Sequence, residues 1–523
     1  MADEHELASA EPVEANAGIT PDESAMSEPE IKSDESSEQE PKIEPDESAA
    51  VEGDGVEVGC PISKYYHGFG PRCGGKLHVA PEGVDEKPVC LMHSNDPGKQ
   101  SGPLFDTFWR EFERVLEAAG DGEAHFDRFV FPKLDFSKRT FQAICLFDCA
   151  TFTQNANFFK TTFTQNADFT GAAFTQYAYF WNATFTQAAN FLRATFTRDA
   201  VFSDAAFTRD ANFFAATFAQ AANFVDTTFH GTADWRKCQF LNQAEFRQTK
   251  FEPLVEGQPS AAFALASFSK PGEIVFDDVD LSRVLFHNCD VSQVLFTSSV
   301  RWAKREGNRG LAVFEETIPL DQQYAKGLHR DGQRAYRAVA QIYQQLKKNY
   351  DSRLDYWTAN DFHYGEMEMR RLEPPTEGSF LRLRRKLPRW SNLLTLYRLA
   401  SDYGNSYAKP GAWLIATLLA AMLSFPITGL EWKQPKGGNA ASNAIVTYVS
   451  VWNRQDTWRN NLFTEGKLLI KSGITAIDTA TFQRNPEYTP VYPWGRVLGI
   501  LETLLTSSLF ALFLLAIRRQ FRR

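Results

Sequence analysis

The chain has 523 residues, too many for one compact core, so two or more domains are expected. The net charge of −10 comes from the first 58 residues, which hold about nineteen acids against Lys32 and Lys42, so the remainder is mildly basic. The seven cysteines are unevenly spaced and odd in number, which argues against a disulfide framework and for a reducing compartment.

Residues 1–58 are acidic, contain proline and lack aromatic side chains. Such a segment cannot bury enough apolar surface to offset the entropy of ordering, so the sequence predicts a disordered acidic tail. No basic region followed by an apolar run is present, so no cleavable signal peptide is expected.

Residues 59–97 contain a candidate zinc site formed by Cys60, Cys73, Cys90 and His93. The Cys-x2-His pair fits one zinc knuckle, whereas the thirteen-residue separation of Cys60 and Cys73 is unusual. His67 and His78 are possible substitute ligands. A segment this short and rich in Gly and Pro has no core of its own, so zinc would supply folding free energy. The alternative is three free thiols in a loop.

Residues 98–125 are predicted to form a helix that caps the domain that follows. Its apolar residues recur at helical spacing: Phe105, Phe108, Trp109, Phe112, Val115 and Leu116. A cap is expected because the bare end of a solenoid exposes unpaired strand edges.

Residues 126–300 are organised by a regularly spaced aromatic residue. A Phe, or Trp235 in one case, recurs from 126 to 251, first at five residues and then at five and six in alternation. The residue two positions earlier is almost always small. Neither a helix nor a half-buried strand keeps this period, whereas a solenoid stacks identical inward side chains in columns.

The pattern resembles the pentapeptide-repeat proteins, in which a small residue precedes a central Leu or Phe. The resemblance implies a right-handed quadrilateral β-helix, with a coil of about 22 residues, a bulge as the place of the extra residue, and a rod about 25 to 30 Å long. The Cys-Cys-Cys-His segment is similar to a motif that precedes such repeats in some bacterial proteins. After an interruption at 252–275, the spacing is predicted to resume at Phe276, Leu281, Phe286, Val291 and Phe296.

The outward positions of the rod favour a docking surface over chemistry. Between residues 140 and 250, eight acids balance eight bases, so the acidic potential that lets some pentapeptide-repeat proteins mimic DNA is missing, and no nucleic-acid partner is expected. Cys145, Cys149, Cys238 and Cys289 fall on or near the repeat and are predicted to be core thiols.

Residues 319–405 are predicted to be a helical linker, which resembles the segment between pentapeptide repeats and a membrane hairpin in bacterial proteins. Within it, Asp361, His363, Glu366 and Glu368 could suggest a metal site. Because Arg370 and Arg371 follow closely, a solvated charge network is the preferred interpretation.

Two apolar runs, 411–430 and 494–517, are long enough to span a bilayer, although two buried core helices are an alternative. Basic residues flank both runs: Arg382, Arg384, Arg385, Lys386 and Arg389 before the first, and the tail 518–523 after the second. The positive-inside rule then places both termini in the cytoplasm, with 431–493 as an outer loop. The resemblance to bacterial proteins implies that the membrane is the bacterial inner membrane.

The second run resembles part of a two-span potassium channel, because Trp494, Gly495 and Arg496 match a tripeptide that precedes the inner helix. The glycine-rich filter of such channels is absent here, so potassium selectivity is not implied. Glu502 lies inside the second run, and the hypothesis is an ion or proton ligand or a gate contact; the alternative is a carboxyl near the outer interface.

The sequence contains no phosphate-binding loop, nucleophile elbow or paired-carboxylate site, so an enzyme is not expected. The preferred function is a membrane-anchored scaffold that presents the rod to protein partners. The competing function is an oligomeric ion channel or transporter-like subunit that the rod assembles or gates.

Overall fold

The computed structural model describes residues 60–62, 73, 75–252, 255, 257–305, 310–319, 328–330, 333–374, 392–432, 458–481, 488–490 and 492–521. The predicted acidic tail lies outside these residues.

The repeat region forms a parallel β-solenoid of about eight turns with four sheets, which the chain visits in the order A, B, C, D. Sheet A contains Glu123–His125, Ile144–Leu146, Ala167–Asp168, Ala189–Asn190, Ala211–Asn212, Ala233–Asp234, Ala261–Ala262 and Val284–Leu285. Sheet B contains Val130–Phe131, Thr151–Phe152, Ala173–Phe174, Thr195–Phe196, Thr217–Phe218, Gln239–Phe240 and Ser267–Phe268. Sheet C contains Leu134–Asp135, Ala156–Asn157, Ala178–Tyr179, Ala200–Val201, Ala222–Asn223, Ala244–Arg247, Ile274–Asp277 and Leu295–Phe296. Sheet D contains Thr140–Phe141, Thr162–Phe163, Thr184–Phe185, Ala206–Phe207, Thr228–Phe229 and Lys250–Phe251.

The regularly spaced phenylalanines fill the axis of this solenoid as four columns of stacked rings. Phe174 pairs with Phe196 one coil later, a separation of 22 residues that confirms the predicted coil length. The rings of Phe169 and Phe191 stack with centroids 5.0 Å apart, and Phe180 meets Phe191 edge-on at 5.5 Å. Stacked pairs within columns and edge-on pairs between columns are both favourable aromatic geometries, so one residue type satisfies all four sides.

The corners explain the alternation of five and six residues. After sheets A and C the chain turns tightly: Ala150 N donates to Phe147 O at 3.0 Å, with Cys149 at φ 53°. Four residues separate the strands at these corners, as at 147–150, whereas three separate them after sheets B and D, as at 153–155. The expected bulge is therefore wrong, because the two-residue strands pair one to one.

The interruption in the repeat is shorter than predicted. Ala233 pairs with Ala261, 28 residues later instead of 22, so six extra residues precede a coil that is already regular. The ring of Phe263 stacks between Trp235 at 4.8 Å and Phe286 at 5.6 Å. The prediction that the interruption reaches residue 275 is wrong. Residues 261–268 keep the pattern of a small residue two positions before Phe, but the insertion moves this pattern out of the eleven-residue register, so the spacing alone does not reveal it.

Helices cover both ends of the solenoid. A 3-10 turn, Pro97–Gln100, leads into helix α1, Gly102–Ala119, whose Phe112 ring stacks on Phe126 at 4.6 Å. At the other end are α2, Tyr336–Ser352, and α3, Tyr356–Leu372. Asn349 Nδ2 donates to Val291 O at 2.7 Å and Val294 O at 2.8 Å, so side chains of α2 satisfy carbonyls at the last strand edge.

Short elements connect the last coils to these helices. They include the 3-10 turn Phe314–Glu316 and the antiparallel pairs Ala303–Lys304 with Leu311–Ala312 and His329–Arg330 with Gln333–Arg334. A further 3-10 turn, Pro271–Glu273, lies within the solenoid, between strands of sheets B and C.

The described C-terminal residues form four helices: α4, Leu393–Ser401; α5, Ala408–Thr428; α6, Trp458–Ala480; and α7, Pro493–Gln520. By length and composition, α5 and α7 could cross a membrane, with mean hydropathy of 1.7 and 2.1 over their most apolar windows. The predicted outer loop contains α6, which packs against both, and the strand pair Leu430–Trp432 with Tyr488–Pro490.

Candidate metal centre and buried charged groups

Three short backbone pairings assemble the four predicted metal ligands. Cys60 N donates to Gly75 O at 2.9 Å and Cys73 N donates to Ile62 O at 2.8 Å, so antiparallel chains bring Cys60 beside Cys73. An antiparallel bridge joins Leu77 to Cys90. The thirteen-residue spacing that looked unusual therefore corresponds to two neighbouring positions in space.

The ligand atoms of Cys60, Cys73, Cys90 and His93 all lie within 4.8 Å of one another. The Cys73 and Cys90 sulfurs are 3.8 Å apart, and His93 Nδ1 lies 3.5 Å from the Cys60 sulfur and 3.1 Å from the Cys90 sulfur. Sulfurs about 2.3 Å from a tetrahedral zinc are about 3.8 Å apart, so the cluster has the dimensions of a closed Cys3His site.

The surroundings of the cluster orient its histidine. His93 Nε2–H donates to Asp127 O at 3.1 Å, which leaves Nδ1 free to act as a ligand. The ring of Phe129 meets the imidazole edge-on at 5.2 Å. A Cβ at Gly75 would lie 3.2 Å from the Cys90 Cβ and 3.4 Å from the Cys73 sulfur, so the ligand loops pack around a residue with no side chain.

The thiols are placed to lose protons to a metal. A hydrogen bond from the Cys90 thiol lowers the pKa of Cys73 to about 4, and the same contact raises the pKa of Cys90. A metal cation would replace the thiol protons, because cysteine binds a metal as the thiolate.

The cluster belongs to the same apolar core as the first coils of the solenoid. Met92 O accepts from Val130 N at 2.8 Å, next to the edge of sheet B. Lys99 is fully buried and donates to Leu91 O at 3.2 Å, and burial lowers its pKa to about 7. Of the substitute ligands, His78 instead pairs with Asp96 at 2.7 Å, and His67 lies outside the described residues.

The remaining cysteines stay apart from the cluster. Cys145, Cys238 and Cys289 are buried in the solenoid, where burial raises the pKa of each, to about 12 for Cys145. Cys149 is partly exposed at a corner, so the prediction of a core thiol is wrong for this residue.

The acidic and histidine residues of α3 form a buried network, which corrects the prediction of a solvated one. His363, Glu366 and Glu368 are 6%, 4% and 7% exposed. Tyr403 OH donates to Glu368 at 2.8 Å, and Arg371 pairs with the same carboxylate at 2.8 Å. These groups are buried because α4 and the end of α7 cover this face of α3, a tertiary contact that local spacing does not encode.

A second network joins the solenoid cap to the apolar helices. Arg519, at the end of α7, donates to Asn360 Oδ1 at 2.9 Å and to Tyr403 O at 3.0 Å. Asn405 Nδ2 donates to Asn360 O at 3.1 Å. The helix pair that closes the solenoid is therefore bonded directly to one end of the apolar bundle.

Glu502 lies in the middle of the apolar bundle. Its side chain is 4% exposed, and both carboxylate oxygens lack a hydrogen-bond partner within the described part of the chain. The predicted membrane-surface residues Arg382, Arg384, Arg385, Lys386 and Arg389 lie outside the described residues.

The structure also reveals an exposed aromatic patch that the sequence analysis missed, formed by Phe159, Tyr177, Tyr179 and Trp181. Trp181 is 47% exposed and Tyr177 38%. The rings of Phe159 and Trp181 are 4.9 Å apart, and Tyr177 stacks on Tyr179 at 5.9 Å. Aromatic residues outside the five-and-six register were the signal available in the sequence.

Among known proteins, no family model matches the chain, and no curated protein or solved structure is significantly similar to it. The function of this protein is therefore inferred from the geometry of the chain itself.

Proposed function

We propose that this protein is a membrane-anchored scaffold whose solenoid, a right-handed pentapeptide-repeat β-helix, presents a docking surface to protein partners in the cytoplasm of a bacterium. The aromatic patch carries this proposal. It lies on a rod whose other outward positions are mainly Thr, Gln, Asn, Asp and Arg. Trp and Tyr are the residues most enriched in the energetic centres of protein interfaces, because they bury a large area at low entropic cost.

The patch is held in place before any partner arrives. Trp181 Nε1 donates to Asp204 Oδ2 at 2.9 Å, and the Lys160 ammonium lies 5.1 Å from the Phe159 ring centroid. These contacts restrict the exposed rings, so less side-chain entropy is lost on binding. A rigid rod with a prepared aromatic surface fits a docking role better than a catalytic one.

The contacts of Arg519 and Tyr403 support the anchoring part of the proposal. They connect the solenoid cap to α7 through partly buried hydrogen bonds. If α5 and α7 span the inner membrane with both termini in the cytoplasm, the rod is held at a fixed position beside the lipid surface. The basic residues 382–389 would then contact anionic headgroups.

Zinc is the cofactor that the Cys3His cluster fits best, and its role is structural. Four protein ligands close the coordination shell, so no position remains for a substrate or an activated water. Zinc would tie the loops of 60–93 to the first coils of the rod, where they share one apolar core. The proposal includes no enzymatic activity.

The experiment compares two exposed apolar side chains at different corners of the rod. Trp181→Ala removes the centre of the patch, and Leu241→Ala, at a position 41% exposed, is the matched control. Proteins that copurify with the full chain are quantified. Loss of a hot-spot residue costs about 2 kcal/mol, roughly thirtyfold in affinity, so a partner should be lost from the first variant and kept by the second. Equal recovery by both variants would contradict the proposal.

A second candidate, an oligomeric ion channel or transporter-like subunit, is favoured by one observation. Helix α6 packs on both apolar helices: Ser472 Oγ donates to Met422 O, and Thr503 Oγ1 donates to Thr479 O at 3.1 Å. Such a helix between two spans resembles a pore helix. Because a pore needs several copies around an axis, a monomeric mass in detergent together with no ion flux in vesicles would exclude this candidate.

A further inference from the structure

The apolar bundle contains a buried carboxyl group that its surroundings do not satisfy. Both oxygens of Glu502 are inaccessible to solvent and have no hydrogen-bond partner among the described residues. A carboxylate anion in such a place would cost several kcal/mol, because neither water nor a donor compensates its charge. Something must therefore supply positive charge or remove the negative charge.

Three buried hydroxyl groups on the same helices already donate their protons to backbone carbonyls. Thr475 Oγ1 donates to Lys471 O at 3.0 Å, Thr506 Oγ1 donates to Glu502 O at 2.8 Å, and Ser472 Oγ donates to Met422 O. All three side chains are at most 4% exposed.

Charged side chains do not neutralise Glu502 either. The described charged side chains of the helices packed together here are those of Lys409, Lys467, Lys471, Asp478, Arg496, Arg518 and Arg519. Lys409 pairs with Asp402 at 2.5 Å, and Arg519 contacts Asn360 and Tyr403. Within the described residues, none of these side chains forms an ion pair with Glu502, so the carboxyl is isolated from basic groups of its own bundle.

We propose that Glu502 is a proton-binding site within the membrane, protonated at neutral pH. The inference rests on α5 and α7 spanning the membrane, as proposed above. A bound metal cation is disfavoured, because hard cations take about six or more oxygens and a single carboxylate supplies the one formal charge. Loss of the proton would leave an unpaired anion beside α6, so proton occupancy is coupled to the packing of α6 against α7.

The test uses the full chain in lipid nanodiscs. Dicyclohexylcarbodiimide partitions into apolar regions and reacts with protonated carboxyls, and mass spectrometry locates the adduct. Near-complete modification of Glu502 at neutral pH is expected, with little at Asp478, and the Glu502→Gln variant should lose that adduct. Protection of Glu502 by added sodium or potassium would overturn the proposal in favour of a cation site.

Infrared difference spectra of the wild type against Glu502→Gln provide a readout that does not depend on reagent access. The carbonyl stretch of a protonated carboxylic acid should be present in the wild type at neutral pH and absent from the variant. Its absence would overturn the proposal even if the adduct formed. Extraction of the membranes with alkaline carbonate tests the spans separately: release of the chain would refute the anchoring, whereas a retained chain without the infrared band would refute the proton site alone.

Discussion

Truncating one ring in the middle of the solenoid tests whether the aromatic columns hold the fold. Phe191 is fully buried, and its ring stacks on Phe169 and Phe213 at 5.0 Å each. The rings of Phe180 and Phe202 meet it edge-on at 5.5 and 5.6 Å. The Phe191→Ala variant therefore loses contacts in its own coil and in the coils before and after it.

We expect Phe191→Ala to lower the free energy of unfolding by about 3–5 kcal/mol, the usual cost of truncating a buried Phe. Stacked coils support mainly their neighbours, so the loss should be largest within one coil of residue 191. Amide hydrogen exchange of the full chain, read by mass spectrometry, measures this loss segment by segment. Phe191→Leu should cost less, because it retains most of the volume.

The control is Arg198→Ala, at an exposed position in the next corner, which should change stability by less than about 0.5 kcal/mol. If Phe191→Ala changed protection no more than Arg198→Ala, the columns would not be the source of stability. A loss spread evenly over the whole rod would instead refute the nearest-neighbour argument.

Three further predictions concern other buried groups. Trp235→Phe should leave thermal stability unchanged or raise it. The reason is that Trp235 Nε1 has no hydrogen-bond partner within the described residues, and an unpaired buried N–H costs about 1–3 kcal/mol. A loss of stability as large as that of Trp235→Ala would contradict this prediction. Elemental analysis of the purified wild type should find one zinc per chain. The Cys73→Ser variant should lose this zinc and the Cys149→Ser variant should keep it. Equal zinc content in all three proteins would refute the site. Burial raises the pKa of Glu315 from 4.5 to about 7. Because the folded state binds the Glu315 proton more tightly than the unfolded state does, the free energy of unfolding should fall as the pH rises from 4.5 to about 7, by on the order of 3 kcal/mol. Glu315→Gln should remove that part of the pH dependence in denaturation curves, and identical wild-type and variant curves would contradict the assignment.

The regular part of the solenoid could be predicted because its core depends on a local repeat. A small residue two positions before each Phe and an eleven-residue register fix which side chains point inward. The same signal failed at Ala261 and Phe263, where a six-residue insertion shifts the register while the pattern itself persists. Handedness stays a prediction from the family resemblance.

The metal ligands were predictable by residue type, whereas their arrangement depends on backbone pairing between distant segments. Nothing in the spacing of Cys60 and Cys73 indicates that the two chains run antiparallel. Nor does local sequence show that Glu368 is buried, because the side chain that covers it, Tyr403, comes from the turn after α4. Burial of polar groups by remote elements is the information that single-sequence analysis lacks.

The most direct test of the scaffold is a photo-crosslinking comparison in intact cells that express the full chain. A photoreactive amino acid replaces Trp181 in one strain and Leu241 in another, and the products are resolved by mass and identified. The account predicts a discrete crosslinked partner from position 181 in the membrane fraction and none of that product from position 241. The same products from both positions, or no product from 181, would contradict it.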